Sequence, residues 1–291
     1  MRSADPALAI VITGVSSGIG RETARHAIAR GAQVFGTVRT QGDAAALSTE
    51  LGERFTPLLV EIRDEATVLA GAERVRAALA GRRLSGLVNN AAVAIPGPVL
   101  FQPLSEIREQ IETDLIGTIV VTRAFAPLLG ADRTLSGPPG RIVMVSSIGG
   151  RIGQPFLSGY IAAKHGIEGF SETLRRELQL FGIDVVIVGP APVDTPIWDK
   201  GAAQLGRYAG TPYGEAFDRG VSIMVEQGHR HSLAPARVAE TIWTALTARR
   251  PKARYAPAKH LVIEQGLARL LPRRWLDRLF GRVLRLRPRR R

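Results

Sequence analysis

A chain of 291 residues, 45% hydrophobic and 22% charged, can bury a full core in one large domain, and no stretch approaches the ~18 uninterrupted apolar residues of a transmembrane helix. It contains no cysteine, which excludes disulfides and thiolate metal sites. The net charge of +13 would suit a nucleic-acid binder until it is located: residues 269–291 carry ten Arg and one Asp, a net +9, so the basicity belongs to the tail and no base-reading module accompanies it.

Residues 7–12 form a continuous apolar run, the mark of a strand covered on both faces in a parallel sheet. The preceding residues lack the charged start and cleavage site of a signal peptide, so a cytoplasmic protein is expected. The run enters Thr13-Gly14-Val15-Ser16-Ser17-Gly18-Ile19-Gly20 and then a helical pattern that stops at Gly31. Strand, glycine-rich turn and helix open a dinucleotide-binding unit, because glycines let the backbone approach a pyrophosphate and the helix N-terminus supplies free N–H groups. The spacing is TGxxxGxG rather than GxGxxG, so a glycine turn without a ligand is the plainer alternative. A second strand over 32–38 ends at Arg39. An acid there would hold a ribose 2′-hydroxyl, whereas a guanidinium favours the 2′-phosphate of NADP over NAD; an exposed loop arginine is the alternative.

Further strands are expected over 58–62, 84–88, 141–146 and 183–188, with helices over 66–79 and from 105 toward 129. The strand at 84–88 ends in Asn89-Asn90-Ala91-Ala92, and such paired asparagines can tie strand ends together beside a cofactor cleft. The helix from Ser105 has an acidic first turn in Glu106 and Glu109, carries Asp114, and closes in the Gly/Pro-rich 130–140 stretch.

The strand at 141–146 delivers Ser147 at its C-terminal end, the edge where active groups of open α/β sheets collect. Tyr160 follows 13 positions later and Lys164 four beyond it, on a helix expected to reach 181. At that spacing phenol and ammonium share one helical face. A tyrosine titrates near pH ~10 unaided, and an adjacent ammonium stabilises the phenolate. A proton source, an electrostatic tuner and a second hydroxyl around one oxygen are what carbonyl/alcohol interconversion needs. Taken alone, Tyr160 and Lys164 also read as an ordinary surface pair.

Residues 196–232 read as irregular, with Ile197, Trp198, Tyr208, Tyr213, Phe217 and Met224 either clothing a greasy substrate under a lid or packing in the core. His229 and His231 lie there without the carboxylates or cysteines of a metal site. A helix over 235–248 and a strand over 253–256 follow. In the tail, Trp275, Leu276, Leu279, Phe280, Val283 and Leu284 fall at helical spacing opposite Arg273, Arg274, Arg278, Arg282 and Arg285. Such a helix suits an anionic membrane surface, here the inner face of the membrane; docking on the protein's own body is the alternative, with Arg287–Arg291 disordered.

With TGVSSGIG, NNAA, the Ser147/Tyr160/Lys164 spacing and Gly189-Pro190-Ala191-Pro192-Val193-Asp194-Thr195 in this order, the chain resembles the short-chain dehydrogenase/reductase family over roughly residues 7–257. The 149–168 region and Pro251-Lys252-Ala253-Arg254-Tyr255 are most similar to its steroid and retinoid branch. The resemblance implies that Gly14, Ser16, Ser17, Gly18 and Ile19 lie along the cofactor's phosphates and ribose, with Arg39 at its 2′-phosphate and Ile62 beside the adenine. Asn90 would contact the nicotinamide-side ribose region, and Val193 and Thr195 would hold the carboxamide. Tyr160 would be the acid/base, Ser147 would polarise the substrate oxygen, and Lys164 would bind ribose hydroxyls.

Four positions depart from the family pattern: Ala92 and Ala191 replace glycines, Glu61 replaces Asp, and Asp114 replaces the Asn of the long helix. If that Asn acts through its backbone carbonyl, Asp114 can substitute. If Asp114 is ionised and pairs with Lys164, the field on Tyr160 weakens and an alkaline-shifted optimum is expected.

The expected fold is α/β, a Rossmann-like doubly wound parallel sheet of about seven strands. Residues 1–260 form the catalytic domain with a substrate lid over 196–232, and 261–291 form the basic amphipathic tail. The expected activity is hydride transfer between NADP(H) and the alcohol or carbonyl group of a small lipophilic, steroid- or retinoid-like substrate. The alternative is a catalytically weak, cofactor-binding scaffold tethered by its tail. A homodimer or homotetramer follows from the resemblance alone.

Overall fold

The computed structural model describes residues 8–230, 232–258 and 272–286. The expected strand start at Ala7, the second histidine His231, and the tail residues 261–271 and 287–291 lie outside the described residues.

Seven parallel strands form one sheet in the order β3-β2-β1-β4-β5-β6-β7. They are β1 (Ala9–Ile12), β2 (Gln33–Val38), β3 (Phe55–Leu59), β4 (Gly86–Asn89), β5 (Arg141–Val145), β6 (Asp184–Val188) and β7 (Arg254–Tyr255). All four residues of β1 are buried, as its unbroken apolar run requires of a strand covered on both faces. Its side chains alternate between the two layers. Ile10 and Ile12 pack with Ala24 and Ala27 of α1 (Gly18–Ala29) and with Val238, Ile242 and Ala245 of α9 (Pro235–Thr247). Ala9 and Val11 pack toward Val68 and Val75 of α3 (Glu65–Leu79), Phe125 of α5 (Thr118–Ala126) and Ile167 of α6 (Ser158–Glu177). The strand order reverses between β1 and β4, which opens a crevice at the carboxyl edge where ligands of such sheets bind.

Three elements differ from the sequence expectation. The third strand runs from Phe55 to Leu59 rather than over 58–62; it is the sheet's edge, where Pro57 can sit without leaving a ladder partner unpaired. Beyond it the Glu61 N–H bonds the Thr67 hydroxyl and turns the chain into α3. An unanticipated helix, α2 (Gln41–Leu51), starts at Thr40, whose hydroxyl accepts the Asp43 N–H at 3.1 Å. The stretch over 196–232 is not irregular: α7 (Ile197–Ala202) and α8 (Gly214–Arg230) occupy much of it. Gly228 of α8 leaves no room for a side chain because the Trp198 indole lies against it.

The long helix begins as α4 (Leu104–Ile111), passes through a widened turn at Glu112–Gly117 into α5, and ends in a second such turn at Pro127–Ala131. By length and composition it could cross a membrane, but half of its apolar window is buried, with Val121, Phe125, Leu128 and Leu129 sealed in the core. The tail helix α10 (Arg273–Val283) divides its apolar residues between two faces. Leu284, at its end, enters a cluster with Phe156, Tyr208 and Phe217, while Trp275 (62%), Leu279 (52%) and Val283 (39%) stay exposed. Arg285 pairs with Glu215 of α8 at 2.7 Å, and Arg219 donates to the Val283 carbonyl at 2.6 Å. Leu284→Ala removes the buried anchor and should cost about 2–5 kcal/mol of local docking. The expected outcome is faster tryptic cleavage at Arg278 and Arg282 with the thermal transition of the body retained; unchanged cleavage would show that the docking does not depend on this side chain.

Candidate active site

The glycine-rich turn is assembled around one hydroxyl. Thr13 Oγ1 accepts from the backbone N–H groups of Asn90 (2.9 Å) and Ala91 (3.0 Å), while the Asn90 amide donates back to the carbonyls of Thr13 (2.9 Å) and Gly14 (3.1 Å). Asn90 thus ties the ends of β1 and β4 together. Gly14, at φ +69°, lies so close to Ala91 that a Cβ would stand 2.9 Å from the Ala91 Cα. Ala92, the departure that adds a methyl, is exposed, so the tight contact falls one residue earlier.

The residues here fit a nicotinamide dinucleotide. Ser17 precedes α1 but gives no side-chain cap, leaving the first-turn N–H groups of the helix for an anion. Gly18, at φ +56°, faces Thr195 across the crevice, with the Thr195 methyl 3.0 Å from where a Cβ would stand. Ser16 and Ser17 are exposed at the turn's rim, and Ile19 is half-buried behind it. Arg39 ends β2 exposed and without a salt bridge among the described residues. Ile62 is buried against Gly117. Val193 is buried, and its carbonyl accepts the Trp198 indole N–H at 2.7 Å.

Ser147, Tyr160, Lys164 and Asp114 converge at the end of β5. The Ser147 hydroxyl accepts the Gly149 N–H at 3.0 Å, which leaves its own proton to donate outward. A Cβ on Gly149 would stand 2.8 Å from Ile161 Cδ1, 3.4 Å from Ser147 Oγ and 3.5 Å from Tyr160 Cε1, so the Ser147 and Tyr160 side chains both pack beside this glycine. Lys164 is 4% exposed; its Nζ donates to the Val145 carbonyl at 3.3 Å and stands 5.5 Å from the Tyr160 ring centroid.

The widened turn swings Asp114 inward, where it is 1% exposed. Its Oδ1 accepts the Val93 N–H at 2.8 Å, and its Oδ2 stands 3.6 Å from Lys164 Nζ. The Asp114 carbonyl is engaged by the Thr118 hydroxyl at 2.7 Å, so the side chain reaches the lysine. Burial pushes the Asp114 carboxyl up to about 6, against the opposing pull of Lys164 and the Val93 N–H. Sequence reasoning missed Thr13 and Thr37, whose hydroxyl takes the Gly14 N–H at 2.9 Å. It also passed over a cluster of Glu168, Arg151 and Arg254 behind Ser147.

A family model described as short chain dehydrogenase matches residues 8–205. An NADPH-dependent 3-dehydrocapnine reductase of Ornithobacterium rhinotracheale is 34% identical over 274 residues, 94% of this chain and 96% of that one. Retinol dehydrogenase 5 of Mus musculus is 32% identical over 288 residues, covering 94% and 88% of the two chains. The solved structure of a short-chain dehydrogenase from Streptomyces avermitilis superposes with a TM-score of 0.77 at 28% identity, covering 97% of this chain and 99% of that one. The chain belongs to the short-chain dehydrogenase/reductase family, and it is an oxidoreductase of the NAD(P)-dependent kind.

The charge on Asp114 gives the site a pH signature. Above about pH 6 the carboxylate is ionised and opposes the field of Lys164 at Tyr160; below it the group is neutral and the opposition disappears. Asp114→Asn removes the charge at all pH values. The acid-side limb of the kcat profile for alcohol oxidation, where Tyr160 must lose its proton to act as the base, should move to lower pH, and a profile identical to the unaltered chain would remove Asp114 from the electrostatics of the reaction. The same shift carries a stability sign. The folded state holds this proton more tightly than a free aspartate carboxyl, which titrates near 3.8, so the group's contribution falls as pH rises from about 4 to about 6, by about 3 kcal/mol in all.

Proposed function

We propose that the chain interconverts the carbonyl and alcohol forms of a lipophilic substrate with NADP(H). The observation that carries this reading is the convergence of Ser147, Tyr160 and Lys164 at the carboxyl edge of the sheet, beside a glycine-rich turn built to receive a pyrophosphate. NADPH, when bound, supplies the hydride. The chain's residues do the rest. In reduction Tyr160 gives its phenolic proton to the substrate oxygen as charge develops there, and Ser147 donates a second hydrogen bond to the same oxygen. Lys164 lends its positive charge to the phenolate left behind, and Asp114 moderates that charge. In oxidation the proton returns to Tyr160.

The preference for NADP rests on Arg39, exposed just after β2 and without a salt bridge among the described residues, and is in keeping with the NADPH-dependent relative. Titration with NADPH and with NADH, followed by cofactor fluorescence, tests it. Arg39→Ala should weaken NADPH roughly 10- to 100-fold, the loss of one charge-assisted contact, and leave NADH nearly unchanged. Equal effects on both cofactors, or tighter NADH than NADPH in the unaltered chain, would overturn the assignment.

The substrate class rests on relatives named as a retinol dehydrogenase and a 17-beta-hydroxysteroid dehydrogenase, while Phe156, Tyr208, Tyr213 and Phe217 pack on one another as a core cluster beyond the Ser147 loop. The same reading takes α7 and α8 as the substrate lid and expects a homodimer or homotetramer. It also sets the exposed Trp275 and Leu279, flanked by Arg274, Arg278 and Arg282, against an anionic membrane surface. Vesicles of mixed phosphatidylserine and phosphatidylcholine should sediment the chain, with binding lost in high salt and in the Trp275→Ala/Leu279→Ala double variant. No binding at low salt would remove the membrane from the reading.

A further inference from the structure

We infer that Glu168 and Arg254 form a positioning pair that holds Ser147 at its station in the active site, an inference that rests on the catalytic assignment above. Tyr160, Lys164 and Glu168 succeed one another at four-residue steps along a single face of α6, so the carboxylate sits two turns beyond the phenol. The Glu168 side chain is 10% exposed and takes the Arg254 Nε through both oxygens, at 3.1 and 3.0 Å. Arg151, from the loop that follows Ser147, reaches the same carboxylate at 3.2 Å. The far end of the Arg254 guanidinium donates to the Ser147 carbonyl at 3.4 Å.

The surrounding backbone is shaped for this cluster. Gly189, at the end of β6, has no space for a Cβ because the Arg254 guanidinium fills it. Gly150 lies flat on the carboxylate, with Glu168 Cγ 3.0 Å and Oε1 3.1 Å from where its Cβ would be. Meanwhile the Ile148 N–H bonds the Pro190 carbonyl at 2.9 Å. Ser147 is therefore fixed on its carbonyl side by Arg254 and on its C-terminal side by Pro190 just beyond β6, and the Gly149 N–H then aims its hydroxyl. A nearly buried carboxylate shared by two guanidiniums is a rigid block, and it couples the last strand, the acid/base helix and the Ser147 loop in one contact. Arg254 thus acts through Ser147, as a positioning residue.

The test uses reduction of 9,10-phenanthrenequinone by NADPH in the full-length chain. Arg254→Met and the charge-balanced double variant Glu168→Gln/Arg254→Met are each combined with Ser147→Ala. Displacing Ser147 by about 1 Å should lower kcat roughly 100-fold, with NADPH affinity held within a factor of about two. The decisive readout is non-additivity: once Arg254 is gone, Ser147→Ala should cost almost nothing more, whereas in the unaltered chain it costs the full loss. Arg254→Lys, which keeps the charge but not the fork, should restore only part of the rate. Crystal structures of the double variant and the unaltered chain should show the Ser147 hydroxyl displaced. Independent, multiplying losses, or a Ser147 hydroxyl that keeps its place, would overturn the inference while the catalytic assignment stands. Full activity in Tyr160→Phe would instead overturn the assignment on which it rests.

Discussion

The Lys164 ammonium lies almost wholly out of water, with the Val145 carbonyl 3.3 Å and an Asp114 carboxylate oxygen 3.6 Å away, and the catalytic geometry hangs on that placement. An ammonium removed from solvent must find partners, because its desolvation costs several kcal/mol otherwise. Those partners come from the last residue of β5 and from the widened turn between α4 and α5. One buried charge thus registers α6 against both the sheet and the long helix. Tyr160, a turn earlier on α6, cannot shift along β5 without pulling Lys164 from its acceptor. The pair that looks like a surface i,i+4 contact in the sequence is half-buried on the tyrosine side and sealed on the lysine side.

The cofactor side of the crevice is built with comparable economy. A single threonine hydroxyl receives two backbone N–H groups from the β4 end, and one asparagine amide returns two bonds to the turn. The turn is consequently fixed before any ligand arrives, so binding need not order it. This also explains why Ala92 is tolerated. The residue that the glycine turn approaches closely is Ala91, while the Ala92 methyl points to solvent.

The sheet was legible because each buried strand is an apolar run ending in a turn signal, and because parallel order follows from alternation with helices. The convergence of Ser147, Tyr160 and Lys164 was legible from spacing along β5 and one helix face. What stayed hidden had physical causes. The edge strand carries Pro57 and few buried side chains, so its apolar signal was displaced toward Val60 and Ile62, which are buried just beyond it. The helices over 196–232 contain glycines at Gly201, Gly220 and Gly228 that read as loop punctuation, yet Gly228 is there to admit the Trp198 indole. The inward turn of Asp114 depends on a widened helical turn, which no periodicity announces. The Glu168–Arg254 contact joins residues 86 positions apart, although both lie in stretches that carried the resemblance to the steroid and retinoid branch.

The tail and the active site are not independent parts. Leu284 closes α10 onto the cluster of Phe156, Tyr208 and Phe217, and Phe156 belongs to the loop between Ser147 and Tyr160. That residue holds φ +69°, a conformation uncommon for a bulky side chain, and its carbonyl accepts the Gly97 N–H at 2.8 Å. Strain of this kind persists only where the surroundings over-determine it. Here the surroundings include edge-to-face rings at 5.5 and 6.2 Å from α8 and the segment before it, and the leucine supplied by the tail. A loop so held packs its apolar side into this cluster while its other end carries the Ser147 hydroxyl. Docking of α10 therefore bears on the packing of the loop that carries Ser147, through Leu284 and Phe156.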